Sequence, residues 1–180
     1  MIYTCTLKSQ TYQIHSNISH LLGQKLLTYA LQEEKAINYR DEPLILNPWG
    51  KPSLKNHPNI HFNISHSFNC IACVISDTYT VGIDVEKIRI FNLYAAKRVC
   101  TTKELDKICS SSNPNRLFFK FWTLKESYIK AIGKGLSHPM KDINFEIYPD
   151  GQILSNLSEC TFHLIDDNNE FITAVCYLNI

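Results

Sequence analysis

Two rhythms of apolar residues divide this chain: period two in short stretches, and three- to four-residue spacing in longer ones. Residues 2–7 read as a strand. A helix follows, with Ser16 or Asn17 as its cap and Ile18, Leu22, Leu26 and Tyr29 along one side. Gly23 interrupts that helix at a cost of about 1 kcal/mol relative to Ala. Asn47-Pro48-Trp49-Gly50-Lys51-Pro52 is punctuated as a turn. Residues 60–64, 70–75 and 81–86 predict three strands, the last two joined by Ser76-Asp77-Thr78. Beyond Phe91 the pattern becomes helical over 93–99 and 102–108, with Thr101 or Thr102 as cap. After the break at 110–114 it is helical again over 115–132, ending at Gly133. Strands at 143–147, 152–154, 161–165 and 171–177 complete the chain, with Pro149-Asp150-Gly151 turning one hairpin. The class is α+β, with a boundary near Arg89–Asn92 that divides residues 1–90 from 91–180.

Composition narrows the function without choosing it. At 180 residues the chain can bury roughly 70% of its unfolded surface and needs no metal or disulfide staple. A net charge of +1 argues against a protein that grips long nucleic acid through many phosphates, yet leaves room for one small acidic ligand. Seven scattered cysteines, an odd number and several in apolar runs, suit reduced thiols in the cytoplasm. Residues 1–8 read as a strand rather than a secretory leader, and no run approaches the ~18 apolar residues of a membrane span.

Candidate chemistry begins on the strand Val81-Gly82-Ile83-Asp84-Val85-Glu86. Its alternation puts Val81, Ile83 and Val85 on one face and Gly82, Asp84 and Glu86 on the other. The two acids then lie with Cα atoms about 7 Å apart and can converge on one hard cation such as Mg²⁺; a solvated face with two charges is the alternative. The helix over 115–132 carries a core stripe of Leu117, Phe121, Leu124, Tyr128 and Ala131. Opposite it run Phe119, Trp122, Glu126, Lys130 and Gly133. Glu126 and Lys130 are spaced for an ordinary surface pair, but their aromatic neighbours suit a cleft better than a wet face.

Ser65 and His66 follow a strand in the cluster Ile64-Ser65-His66-Ser67 and can donate to phosphate oxygens or simply satisfy a turn. Cys70-Ile71-Ala72-Cys73 is set aside as a metal or redox site. Odd spacing on a strand turns the thiols to opposite faces, and no second pair completes a zinc site. Gly133-Lys134-Gly135 is too short for a phosphate loop and follows a helix.

Four segments in order resemble the 4′-phosphopantetheinyl transferase superfamily, in particular its surfactin-synthetase-activating type. They are Gly50-Lys51-Pro52, the stretch from His61 to Ser67, the stretch from Val81 to Lys87, and Phe121-Trp122-Thr123-Leu124-Lys125-Glu126-Ser127-Tyr128-Ile129-Lys130 running on to Leu136. The resemblance covers about residues 47–140. It implies two similar α+β halves, each with a long helix on a small antiparallel sheet, related by a pseudo-twofold axis with the active site between them. It implies coenzyme A as donor, Mg²⁺ as cofactor and an acyl or peptidyl carrier protein as acceptor, with a monomer sufficient for activity.

By the same resemblance Asp84, Glu86 and Glu126 are metal ligands, and Lys51, Ser65, His66 and Lys130 bind coenzyme A. Glu126 and Lys130 are the catalytic pair, with Glu126 or a metal-bound water as base and Lys130 as leaving-group partner, while Glu104 matches another acid. Ser19-His20-Leu21-Leu22-Gly23 lacks an arginine common before Leu-Leu-Gly; Lys8 and Lys25 are only mobile substitutes, so 3′-dephospho-coenzyme A is expected to serve nearly as well as coenzyme A. The competing classes are a metal-dependent nuclease or phosphodiesterase, and a catalytically silent homologue that only binds the carrier protein.

Overall fold

The computed structural model describes residues 1–7, 15–135, 138–166 and 169–179; Lys8 and Leu136 lie outside them. The chain runs β1 (Ile2–Thr6), α1 (Ser16–Lys35), a 3₁₀ turn at Tyr39–Asp41, β2 (Leu44–Leu46), β3 (Pro52–Leu54), β4 (His61–Ser67) and β5 (Cys70–Ser76). It continues through β6 (Thr80–Lys87), α2 (Leu93–Val99), α3 (Thr102–Ser110), α4 (Pro114–Ile132) and a 3₁₀ turn at Met140–Asp142. β7 (Phe145–Ile147), β8 (Ile153–Ser155), β9 (Cys160–Ile165) and β10 (Phe171–Leu178) close the order.

One topology occurs twice. Each half reads strand, long helix, 3₁₀ turn, two-stranded hairpin, then two more strands, and each forms a three-stranded antiparallel sheet, β1-β5-β4 and β6-β10-β9. The hairpins β2–β3 and β7–β8 occupy equivalent places, and α2 and α3 are an insertion in the second half. This is the α+β arrangement of two similar halves that the resemblance implies. The turn after β5 does not close a hairpin: β5 pairs with β1 and β4, whereas β6 pairs with β10 from Thr80–Leu178 to Lys87–Phe171. The Asp84–Glu86 strand, assigned above to residues 1–90, is therefore by its hydrogen bonds a strand of the second sheet.

Three apolar cores follow from these pairings. One lies between α1 and the first sheet, through Leu27, Ala30, Leu31, Cys73 and Ile75. A second joins the sheets, with Cys70, Ala72 and Val74 against Val81, Ile83, Val85 and Val175. The third packs α4 on the outer face of the second sheet, through Phe121, Leu124, Ala131, Ala174 and Cys176. The alternation read in residues 81–86 is thus obeyed, and Cys70 and Cys73 do point into different cores.

Helix boundaries match their chemistry. Thr101 caps α3 in a reciprocal box with Glu104, Asn113 precedes Pro114 at the start of α4, and Gly133 ends α4 with φ +66°. The face expected for α1 is corrected. Ile18 and Tyr29 are exposed, and the buried residues are Ser19, Gly23, Leu27, Ala30 and Leu31. His15, not Ser16 or Asn17, is the cap residue, and its side chain makes no capping bond. Gly23 explains the rotation: a Cβ there would come within 2.9 Å of Ile64 Cγ2, so the helix turns its smallest residue to the sheet.

Gly82 marks a tighter approach. A Cβ on it would stand 2.0 Å from Ser127 O and 2.3 Å from Ala131 N, both backbone atoms of α4. Gly82→Ala is expected to cost about 3 kcal/mol or more, because backbone cannot swing aside as a side chain can. Gly23→Ala presses on Ile64 Cγ2, a methyl that moves only with its χ1, but it gains helix propensity, so its net cost should be smaller, about 1–2 kcal/mol. Urea unfolding of the two variants beside the parent measures the contrast; equal costs would mean that the β6–α4 contact is looser than described.

Candidate active site at the β4–β6 seam

β6 is an edge strand of its sheet, and its outer N–H groups face β4. They meet side chains there instead of a backbone ladder: Ile83 N–H donates to Asn63 Oδ1 (2.9 Å), Val85 N–H to Ser65 Oγ (3.2 Å) and Lys87 N–H to Ser67 Oγ (3.2 Å). Period two on β4 lines up all three acceptors, and period two on β6 lines up all three donors. Each serine then hands its own proton to an acid. Ser65 Oγ donates to Asp84 Oδ1 (3.0 Å), and Ser67 Oγ donates to Glu86 Oε2 (3.0 Å).

α4 supplies the opposing groups. Lys130 Nζ donates to Asp84 Oδ1 (2.6 Å) and to Ser65 Oγ (2.9 Å). Burial pushes the Asp84 carboxyl up, against the pull of the Lys130 ammonium. Asp84 Oδ2 is buried and accepts no hydrogen bond from any described residue. Glu86 is held on its Oε2 by Arg89 (2.8 Å) as well as by Ser67. Burial raises Glu126 from an ordinary 4.5 to about 7, with the Asp84 and Glu86 charges adding to the rise. Asp84, Glu86, Glu126 and Lys130 therefore share one electrostatic field. Among the described residues no three His, Cys, Asp or Glu groups are already gathered as a ligand set for a metal ion. Two ion pairs, with Lys130 and Arg89, occupy the acids instead.

The remaining expected site residues are spread over the seam and beyond it. Ser65 spends its hydroxyl on Asp84. His66 is exposed beside a cavity of about 250 Å³ that Ser67, Glu86 and Arg89 also line. Lys51 is at the opposite end of β6 from Glu86, its Nζ donating to Val81 O (3.0 Å) and Ala131 O (2.6 Å). Lys25 is exposed on α1 and lines a separate cavity of about 700 Å³ with Arg40.

Glu104 is structural here. It is buried, pairs with Lys125 at 2.6 Å, and accepts from Thr101 N–H and Phe145 N–H. Lys125 in turn donates to the carbonyls of Val99, Met140 and Ile143, so this pair is fully hydrogen-bonded.

Three contributors escaped the sequence reading: Asn63, Ser67 and Arg89. Asn63, Ser65 and Ser67 do show period two in the sequence. Their register against residues 83–87 depends on how two separate sheets meet, which no local pattern reports. Arg89 stacks its guanidinium over Phe119 (4.7 Å to the ring centroid), which accounts for one aromatic neighbour of the Glu126 stripe.

Residues 80–176 match the family model of the 4′-phosphopantetheinyl transferase superfamily. The chain is 31% identical over 170 residues to the 4′-phosphopantetheinyl transferase Sfp of Bacillus subtilis (strain 168), covering 90% of this chain and 75% of that one. It is 32% identical over 165 residues to the L-aminoadipate-semialdehyde dehydrogenase-phosphopantetheinyl transferase of Mus musculus, covering 83% and 53%. In fold it is similar to the holo-[acyl-carrier-protein] synthase of Neisseria meningitidis. That structure aligns with a TM-score of 0.50 at 18% identity, over 57% of this chain and 99% of that one. No helix among the described residues is long and apolar enough to cross a membrane.

The raised Glu126 carboxyl gives a pH signature. The folded chain keeps a proton that the unfolded chain releases between pH 4.5 and about 7. Stability is therefore undiminished below the lower value, falls as pH rises from it towards the upper one, and has lost this contribution above both. In metal-free buffer, the melting temperature of the parent minus that of Glu126→Gln should decrease from pH 5 to pH 8. A constant difference across that range would place Glu126 in ordinary solvent.

Proposed function

This chain belongs to the 4′-phosphopantetheinyl transferase superfamily, and we propose that it moves the 4′-phosphopantetheine group of coenzyme A onto a serine of an apo acyl or peptidyl carrier protein. The observation that carries the reading is the Lys130–Asp84–Ser65 triangle closed on Asp84 Oδ1, with Asp84 Oδ2 left unsatisfied and two further carboxylates in its field. A buried oxygen with no hydrogen bond is costly unless a cation or donor completes it. The donor set is all oxygen, which suits Mg²⁺. Asp84, Glu86 and Glu126 would hold that ion, and when bound it supplies positive charge to the diphosphate of coenzyme A.

The remaining steps belong to side chains of this protein. The carrier serine Oγ attacks the phosphorus that bears pantetheine, a new P–O bond forms, and the bond to 3′,5′-ADP breaks. Glu126, beside Lys130 on α4, is the side chain of this protein assigned to take the serine proton, a role it shares with holding the ion. Lys130 turns its ammonium from Asp84 to the diphosphate and neutralises the leaving group. His66 reaches a phosphate from the adjoining cavity. Because both halves of the seam come from one chain, a monomer suffices, working in the cytoplasm where coenzyme A and carrier proteins meet.

Mass spectrometry of an apo carrier protein incubated with the enzyme, coenzyme A and Mg²⁺ tests the reaction. The carrier should gain one phosphopantetheine group, and omission of Mg²⁺ should abolish the gain. Asp84→Ala and Lys130→Met should each slow transfer by about 10²-fold or more, as loss of one charge-stabilising group does. Because Asp84 is buried, Lys130→Met should also lower the melting temperature, so its rate is compared with the parent's at a temperature where both are folded. A carrier that stays apo, or a Lys130 variant of unchanged rate, would contradict the assignment.

A further inference from the structure

The two elements that carry the acids, β6 and α4, are tied at their far ends by a turn from the other half of the molecule. An α-helix leaves its last carbonyls without intrahelical partners. In α4 the Gly133 N–H closes onto Ile129 O (3.0 Å), and the carbonyls beyond need donors from elsewhere. The turn between β2 and β3 supplies them. Asn47 Nδ2 donates to Gly133 O (2.9 Å), and Lys51 Nζ donates to Ala131 O (2.6 Å).

The turn is itself fixed for this task. Asn47 Oδ1 accepts the N–H groups of Trp49 (2.9 Å) and Lys51 (2.8 Å), which leaves the amide nitrogen aimed at α4. The fit is close enough that a Cβ on Gly133 would stand 2.8 Å from both Asn47 Nδ2 and Lys51 Cδ. Lys51 Nζ makes a second bond, to Val81 O on β6 (3.0 Å). One ammonium thus bridges the strand of Asp84 and Glu86 to the helix of Glu126 and Lys130. Its contact on the helix is the residue next to Lys130, and its contact on the strand is three residues before Asp84. A cation at a helix C-terminus also opposes the negative end of the helix dipole.

We propose that Asn47 and Lys51 are positioning residues: they clamp the C-terminal end of α4 against β6 and so set Lys130 and Glu126 relative to Asp84. The assignment rests on the transfer reaction proposed above, and it differs from a phosphate-binding role for Lys51 in a measurable way. A residue that grips coenzyme A acts on KM, whereas one that aligns the reacting groups acts on kcat.

Asn47→Ala removes no charge and leaves Lys51 in place. It should lower kcat about tenfold while the KM for coenzyme A stays within about twofold. Lys51→Met should move kcat in the same direction. The double variant should lose less than the product of the two single losses, because both act on one helix end. Amide hydrogen exchange reads the clamp without any turnover. In Asn47→Ala, peptides covering 129–135 should exchange about tenfold faster, while those covering α2 and α3 stay unchanged. Unaltered kcat and exchange in Asn47→Ala would overturn the clamp. So would a tenfold rise in the coenzyme A KM of Lys51→Met at constant kcat, which would return Lys51 to the substrate. If the parent transfers nothing, the proposed function fails, and the exchange measurement still decides the clamp.

Discussion

An edge strand has a row of backbone donors with nothing opposite, and a protein must cover them. Here the covering groups at β6 are Asn63, Ser65 and Ser67. Much of the site depends on that choice. A backbone ladder would satisfy the same N–H groups and offer the acids nothing. A serine accepts the N–H and still has a proton to give, so each one couples the backbone of β6 to the carboxylate beside it. Joining the two sheets and orienting Asp84 and Glu86 are then a single arrangement. A slip of β4 by one residue would turn every one of these side chains away.

α4 carries two lysine–acid pairs that illustrate opposite ends of buried electrostatics. Lys125 and Glu104 are both buried, and the lysine meets three carbonyls and a carboxylate while the acid meets two N–H groups. That pair ties α2, α3, α4 and β7 together and has no capacity left over. Lys130, five residues along the helix, meets Asp84 at the same 2.6 Å, but that pair is incomplete: Asp84 Oδ2 lacks a donor among the described residues, and the lysine is partly open to solvent. Incompleteness of this kind is costly in the resting protein and useful to a ligand that brings positive charge to the acid or negative charge to the lysine.

What could be read from the chain beforehand were the features that local chemistry decides. The alternation in Val81–Glu86, the end of α4 at Gly133 and the Thr101–Glu104 cap need only neighbours in sequence. The apolar spacing of α1 points to the wrong face, because Gly23, a cost to the helix in isolation, is where the helix comes close to Ile64. A short turn joins β6 to β5, yet its partner is β10, far along the chain, so nearness in sequence points to the wrong sheet. Lys51 and Glu104 could be placed only by likeness to a family. Their actual partners, Ala131 and Lys125, depend on tertiary approach.

The seam can be examined amide by amide. If side chains of β4 satisfy the edge of β6, the N–H groups of Ile83, Val85 and Lys87 should exchange with solvent within about tenfold of the rate at Gly82, Asp84 and Glu86, whose N–H groups point to β10. Replacing Asn63 with Ala should release Ile83 alone. Exchange at Ile83, Val85 and Lys87 in the parent as fast as at an open strand edge would contradict the account.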